Sequence, residues 1–254
     1  MNFLRRLPIL TVSLIISVCV SPSIAATAEA NPKGWLLNQK HSANGEQKIY
    51  VFPQRLRIEN TQLGLTIVGD AQTGKVWLFN NNRKLSCCVN WDKFEHNFAQ
   101  IMQMGGESLP HFKWVKAKNS KGPTVAGLTT TTFTSSDEKL YFSGGGGGFI
   151  AGGGKKIRVD YTIYVAEKIQ TSPRMLKVLA EMQTTPNLGG VPLQEISHYS
   201  DNNKERTFLR TLCAKQIPDD KKLWEIPKYK QVATQNDVAS VTDAGFLEDM
   251  VGKW

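Results

Sequence analysis

Between Gln47 and Val89 the apolar residues of this chain return at every second position. Ile49 and Val51 alternate with polar or aromatic neighbours. Arg55-Leu-Arg-Ile-Glu59 alternates strictly, and Leu65-Thr-Ile-Val68 and Lys75-Val-Trp-Leu-Phe79 follow, with turn residues at Gly69-Asp70 and Asn80-Asn-Asn82. A period of two with Asn, Gly and Asp between the runs dictates an antiparallel meander with one buried face. Ile49, Val51, Leu56, Ile58, Leu65 and Ile67 are then expected on that face, with Arg55, Arg57 and Glu59 toward water. Pro53 has no N–H to give a ladder and confines the first run to an edge or a bulge. Both alternating sets of Val76-Trp-Leu-Phe79 are apolar, which leaves its inward face open.

The period changes after Val89. Asp92 offers an N-cap with Glu95 three residues on, and Phe94, Phe98, Ile101 and Met102 recur at helical spacing until Gly105-Gly106. A second helix is predicted from Ser172 as cap and Pro173 in the first turn, with Met175, Leu179 and Met182 on one side. Further strands are expected at Trp114 to Lys118, Ala126 to Thr134, Arg158 to Val165, Leu193 to Tyr199, Thr207 to Ala214 and Leu223 to Val232. In the third of these, Val159, Tyr161, Ile163 and Val165 face one way. The glycine-rich stretch 143–154 reads as a flexible loop, because glycine loses the most freedom on ordering. A C-terminal helix or tail is expected from about residue 235, the helix itself running from about Asp243 through Phe246, Leu247, Met250 and Val251.

Arg5 and Arg6 precede an apolar run from Leu7 to Val20 and a small-residue tract from Ser21 to Ala28. This is the pattern of a secretory signal peptide, too short to span a bilayer as a helix. Residues 1–25 are therefore expected to be removed, with cleavage between Ala25 and Ala28. Residues 26–254 are expected to form one exported domain, periplasmic or extracytoplasmic and not integral to a membrane. Losing Arg5 and Arg6 lowers Lys+Arg from 31 to 29 against 22 acidic residues, a mature charge of about +7. The cations are scattered along the chain. Scatter and export together exclude nucleic acid and favour an anionic envelope component as a possible partner.

Motifs that resemble catalytic signatures fail at their decisive positions. Gly69-Asp-Ala-Gln-Thr-Gly74-Lys75 matches a phosphate-binding loop until Val76, where a hydroxyl should bind magnesium, and a strand follows where a helix is needed. It is predicted to be a hairpin turn. Gly106-Glu-Ser-Leu-Pro110 has proline where a nucleophile elbow has glycine. His41, His96, His111 and His198 form no spaced ligand set. The mature chain keeps Cys87, Cys88 and Cys213, an odd number. In an oxidising compartment this suggests one bridge, Cys213 with Cys87 or Cys88, and one leftover thiol. Neither catalysis, nor a metal, nor a cofactor is expected.

Ile49-Tyr-Val-Phe-Pro-Gln-Arg-Leu-Arg-Ile-Glu59, Leu65-Thr-Ile-Val-Gly-Asp70 and Gly74-Lys-Val-Trp-Leu-Phe-Asn80 together resemble the opening of the periplasmic outer-membrane lipoprotein carrier family. The tail Leu223-Trp-Glu-Ile-Pro-Lys-Tyr-Lys-Gln-Val232 is similar to the sheet-closing strand of a related group of uncharacterised exported proteins. The carrier places an arginine directly before the proline of its first turn; here Phe52 precedes Pro53. The resemblance implies a mainly β fold with helices (α+β), a strongly curved antiparallel half-barrel with helices on the concave face and an apolar cavity between. It implies a non-catalytic binding protein for a hydrophobic or amphiphilic ligand, lipid or acylated partner. Ile49, Val51, Leu56, Ile58, Leu65, Ile67, Phe94, Phe98, Ile101, Met102, Met175 and Leu179 would line the cavity. The alternative is an envelope adaptor that binds another protein through its basic face or C-terminal tail.

Overall fold

Alternation becomes strand almost wherever the sequence carries it. The computed structural model describes residues 34–42, 44–94, 113–141 and 155–239, without the side chains of 137–141 and 155–156. In chain order the strands are β1 (Gly34–His41), β2 (Gly45–Val51), β3 (Arg55–Asn60), β4 (Leu65–Asp70), β5 (Lys75–Asn80), β6 (Leu85–Asn90), β7 (Val115–Lys121), β8 (Thr130–Tyr141), β9 (Lys155–Ala166), β10 (Pro192–Tyr199), β11 (Lys204–Ile217) and β12 (Lys230–Gln231). Helix α1 spans Pro173–Gln183 and the short α2 spans Gln235–Ala239. The fold is mainly β.

All twelve strands belong to one open, curved sheet in the order β12-β6-β5-β4-β3-β2-β1-β11-β10-β9-β8-β7. The two meanders meet at its centre, where β1 pairs antiparallel with β11. The chain passes from one side of the sheet to the other between β6 and β7. Edge strand β7 carries exposed Lys116, Lys118 and Lys121, charges that discourage pairing with a foreign strand.

Three successive hairpins are built by one device. Strands β3 to β6 start at residues 55, 65, 75 and 85, and the last residues of β3, β4 and β5 are Asn60, Asp70 and Asn80. Each turns its side-chain oxygen back onto the loop: Asn60 Oδ1 accepts from Leu63 N, Asp70 Oδ1 from Gln72 N and Thr73 N, and Asn80 Oδ1 from Asn82 N and Arg83 N. A left-handed residue then closes each loop, at Gly64, Gly74 and Lys84. The loop at 71–74 is thus a hairpin turn between β4 and β5, as its strand context predicts.

Several expectations are corrected. Gly34–His41 is a strand that was not anticipated. Ala126 and Gly127 take positive φ between the bridged Val125 and Leu128, so β8 begins only at Thr130. Trp91–Lys93 is a 3-10 turn, with Asn90 and not Asp92 at its N-cap position and no side-chain cap. Residues 223–232 do not form the expected strand: a 3-10 turn at Lys221–Trp224 and an irregular run precede the two residues of β12, which lie parallel to β6. Pro227 cannot donate to a ladder, which accounts for the irregular run. The helix expected past Glu95, the glycine-rich stretch 143–154 and the helix with Phe246 to Val251 fall outside the described residues.

The terminal segment wraps the β6 edge. On one sheet face Arg57 donates to Leu223 O (2.9 Å), Trp224 packs edge-on against Phe52, and Tyr229 packs edge-on against Phe79. Beyond the edge, Val232 N bonds Ser86 O, and on the opposite face Asn80 Nδ2 donates to Val238 O. Strand β5 is therefore covered on both sides.

Candidate functional site

Helix α1 brings the predicted cavity residues together. Ser172 Oγ accepts the Met175 N–H and Pro173 occupies the first turn, both as the sequence predicts, while Thr184 ends the helix in the left-handed region. Its Met175, Leu176, Val178, Leu179 and Met182 are buried. The cross-strand register sets Leu56 opposite Gly69, Ile58 opposite Ile67, and Ile67 opposite Leu78. Ile49, Val51, Leu56, Ile58, Leu65, Ile67, Phe94, Met175 and Leu179 all lie in one buried apolar cluster. Phe98, Ile101 and Met102 lie outside the described residues. Val76 and Leu78 point into the cluster, so the inward face that the sequence leaves open is theirs, and Phe79 faces Tyr229.

At Gly69, Met175 of α1 packs tightly against the sheet. A Cβ there would stand 2.7 Å from Met175 Sδ, inside van der Waals contact. The glycine that imitates a phosphate-binding loop in the sequence instead makes room for a methionine.

Arg57 and Glu59 are on the opposite face as expected, paired at 2.6 Å. They are not fully in water, because the segment carrying Leu223 lies against Arg57.

A polar seam runs where β1 meets β11 and the end of α1. Gln39 Nε2 donates to Thr211 Oγ1 and to Pro192 O, both at 2.9 Å, and Gln183 Nε2 donates to Gln39 Oε1. His41 donates from Nε2 to Gln183 O and accepts from Asn44 N at Nδ1. Since a carbonyl only accepts and an amide only donates, this pair of bonds fixes the neutral tautomer. Burial pushes His41 from the ordinary 6.5 down to about 4, against the smaller opposing effect of the Gln183 carbonyl.

The inner face of the second meander has a different chemistry. Val159, Ile163 and Leu209 are fully buried there. Glu195 stands between Ile163 and Leu209 by register, and no hydrogen bond or ion pair reaches its carboxylate among the described residues. Desolvation raises its pKa from 4.5 to about 7. Ser197, two residues along the same face, is buried with an unpartnered Oγ. Sequence reading missed Glu195; an acid inside the run Leu193 to Tyr199 was the available signal.

The expected disulfide is absent. Cys87, Cys88 and Cys213 are free thiols, Cys87 buried and the other two exposed. Strands β6 and β11 stand six steps apart in the sheet, about 29 Å along it at about 4.8 Å per step, well beyond bridging range. Cys87 and Cys88 do take opposite faces, as adjacent strand residues must. Burial raises both thiol pKa values. Among the described residues no group of His, Cys, Asp or Glu could hold a metal ion, and no helix is long and apolar enough to cross a membrane.

No family model matches this chain, and no curated protein matches it. Among solved structures it is similar to an uncharacterized conserved protein from Thermus thermophilus, at 9% identity and a TM-score of 0.41, covering 80% of this chain and 91% of that one.

Proposed function

We propose that the protein is an exported, non-catalytic binding protein whose curved sheet forms a half-barrel with helices on its concave face, holding a hydrophobic or amphiphilic ligand there. One observation carries this reading: on β9 to β11 the inner face extends beyond the apolar cluster that α1 organises and sets Glu195 and Ser197 among Val159, Ile163 and Leu209. Helix α1 packs on β3 and β4, and α2 on β5 and β6. An apolar wall with a few polar groups set into it is the usual lining of a lipid or small-ligand site, and Glu195 and Ser197 supply those groups here. The resemblance to the lipoprotein carrier points the same way. Phe52 in place of the carrier's arginine sets this chain apart from the carrier itself.

The alternative is an envelope adaptor that binds another protein through its basic face or through its C-terminal tail from about residue 235, of which the structure describes only residues 235–239, packed on β5 and β6. Native mass spectrometry of the full protein, purified gently from its own host, tests the choice. A lipid-sized adduct released on activation is the expected result. A co-purifying protein supports the adaptor, and bare protein removes the main support for the ligand reading.

A further inference from the structure

A pocket of about 480 Å³ opens beside the start of α1, away from the inner-face residues discussed so far, and Trp91, Arg174, Lys177, Gln54 and Asn187 are among its walls. Two cations lean on one indole in it: the Arg174 guanidinium carbon is 5.6 Å and Lys177 Nζ 5.4 Å from the Trp91 ring centroid. Backbone carbonyls hold both side chains in place. Arg174 Nη1 donates to Ala71 O at 2.8 Å and Lys177 Nζ to Asp92 O at 3.3 Å. No carboxylate is among the pocket's lining groups, and neither cation is in an ion pair among the described residues.

Those contacts use one donor of the five on the guanidinium and one of the three on the ammonium. The remaining N–H groups have no acceptor among the described residues. Two like charges held against a common ring repel each other, and an anion between them turns that repulsion into attraction. The ring and carbonyl contacts fix the cations in advance, so little side-chain entropy is lost when an anion arrives. The amides of Gln54 and Asn187 add neutral donors. The start of α1 adds little, since Pro173 has no N–H and the Met175 N–H is taken by Ser172.

We propose that this pocket binds a phosphate-type anion, carried on a lipid headgroup or free in solution. The proposal stands apart from the inner-face reading, because none of its residues belongs to the β9–β11 wall. It is tested on the full mature chain with two probes. Flotation with vesicles of phosphatidylcholine alone, or of equal parts phosphatidylcholine and phosphatidylglycerol, tests the lipid source. Titration with inorganic phosphate, followed by the Trp91 indole resonance, tests the free anion.

Wild type is expected to bind at least one probe. R174Q/K177Q should weaken that binding about tenfold, since each basic residue near an anionic surface contributes appreciably to affinity. K116Q/K118Q on edge strand β7 removes the same charge and should change it less than about twofold, the range of non-specific attraction. R174K/K177R keeps the charges and should retain binding, which separates charge loss from damage to α1. Binding to vesicles alone assigns the lipid source, and binding to both probes assigns the anion itself. No binding to either probe, an unchanged R174Q/K177Q, or an equal loss in K116Q/K118Q overturns the proposal.

Discussion

Under α1 the sheet presents Leu56, Ile58, Ile67 and Leu78 to a helix face of Met175, Val178, Leu179 and Met182, all members of one apolar cluster. On β9 to β11 the equivalent face alternates Val159, Ile163 and Leu209 with Glu195 and Ser197, and the buried Ser197 Oγ has no partner among the described residues. Both faces carry buried polar atoms without a partner among the described residues, at Gln47 on β2 as at Ser197 on β10, but only the second sets a carboxyl group, the half-buried Glu195, into its apolar wall. A lone carboxyl in an apolar wall costs stability unless something else uses it, and natural chains tolerate such breaches mainly where they serve a function. The apolar cluster under α1 lies mainly in the first meander, and the ligand wall we propose lies in the second.

The largest expected effect compares matched deletions in the two walls. Ile58→Ala should destabilise by about 3 to 4 kcal/mol in urea denaturation, since it empties a site that α1 cannot refill. Ile163→Ala in ligand-free protein should cost about half as much and should also abolish the lipid adduct in native mass spectrometry. Equal costs with the adduct intact would reduce the β9–β11 wall to ordinary core.

The two walls should also answer pH in opposite senses. His41 at the seam titrates near 4 when folded and near 6.5 when unfolded, so the unfolded chain takes up a proton that the fold refuses. Stability is thereby lost as pH falls from 6.5 to 4, by on the order of 3 kcal/mol. Glu195, at about 7 folded against 4.5 unfolded, keeps a proton that the unfolded chain has released, so its contribution is lost as pH rises from 4.5 to 7. The opposing slopes should leave the wild-type profile nearly flat between pH 4.5 and 6.5. His41→Gln should show stability that falls steadily as pH rises. Glu195→Gln should show the reverse slope and should exceed wild type at pH 8. Parallel profiles for the two variants would mean that the two sites are not the contrast drawn here.

Gly69→Ala probes the packed wall alone. Overpacking against Met175 Sδ should cost about 1 to 3 kcal/mol, and Met175→Ala in the same chain should relieve part of it. Additive losses in the double-mutant cycle would show that the contact is not tight.

Most of the first meander was readable because its signal is local. Ile49, Val51, Leu56, Ile58, Leu65 and Ile67 alternate, and alternation alone puts them on one face. Ser172 and Pro173 announced α1 for an equally local reason. The ten-residue spacing of Asn60, Asp70 and Asn80, which builds three hairpins, is an equally local signal. What could not be read is non-local. The pairing of β1 with β11 sets Cys213 six strands from Cys87 and Cys88, and no spacing rule reports that separation. The run 223–232 has strand-like residues, but Pro227 and the wrap around β6 override them. The cations Arg174 and Lys177 meet Trp91 only because α1 lies across the turn after β6.

The smallest expected effect tests whether the cover of the first wall opens by itself. Ser172 Oγ holds the Met175 N–H, and Met175 is the residue of α1 seated over Gly69. Ser172→Ala removes the cap and should cost about 1 kcal/mol, with Pro173 still setting the first turn. A fully cooperative molecule would spread that loss over every protected amide. If the two meanders are energetically distinct, amide exchange should quicken at Arg174 to Leu179 and along β3 and β4, while β9 to β11 keep their protection. Uniform acceleration across all these strands would join the two walls into one cooperative unit, and the β9–β11 wall would lose the independence that a ligand site separate from the core requires.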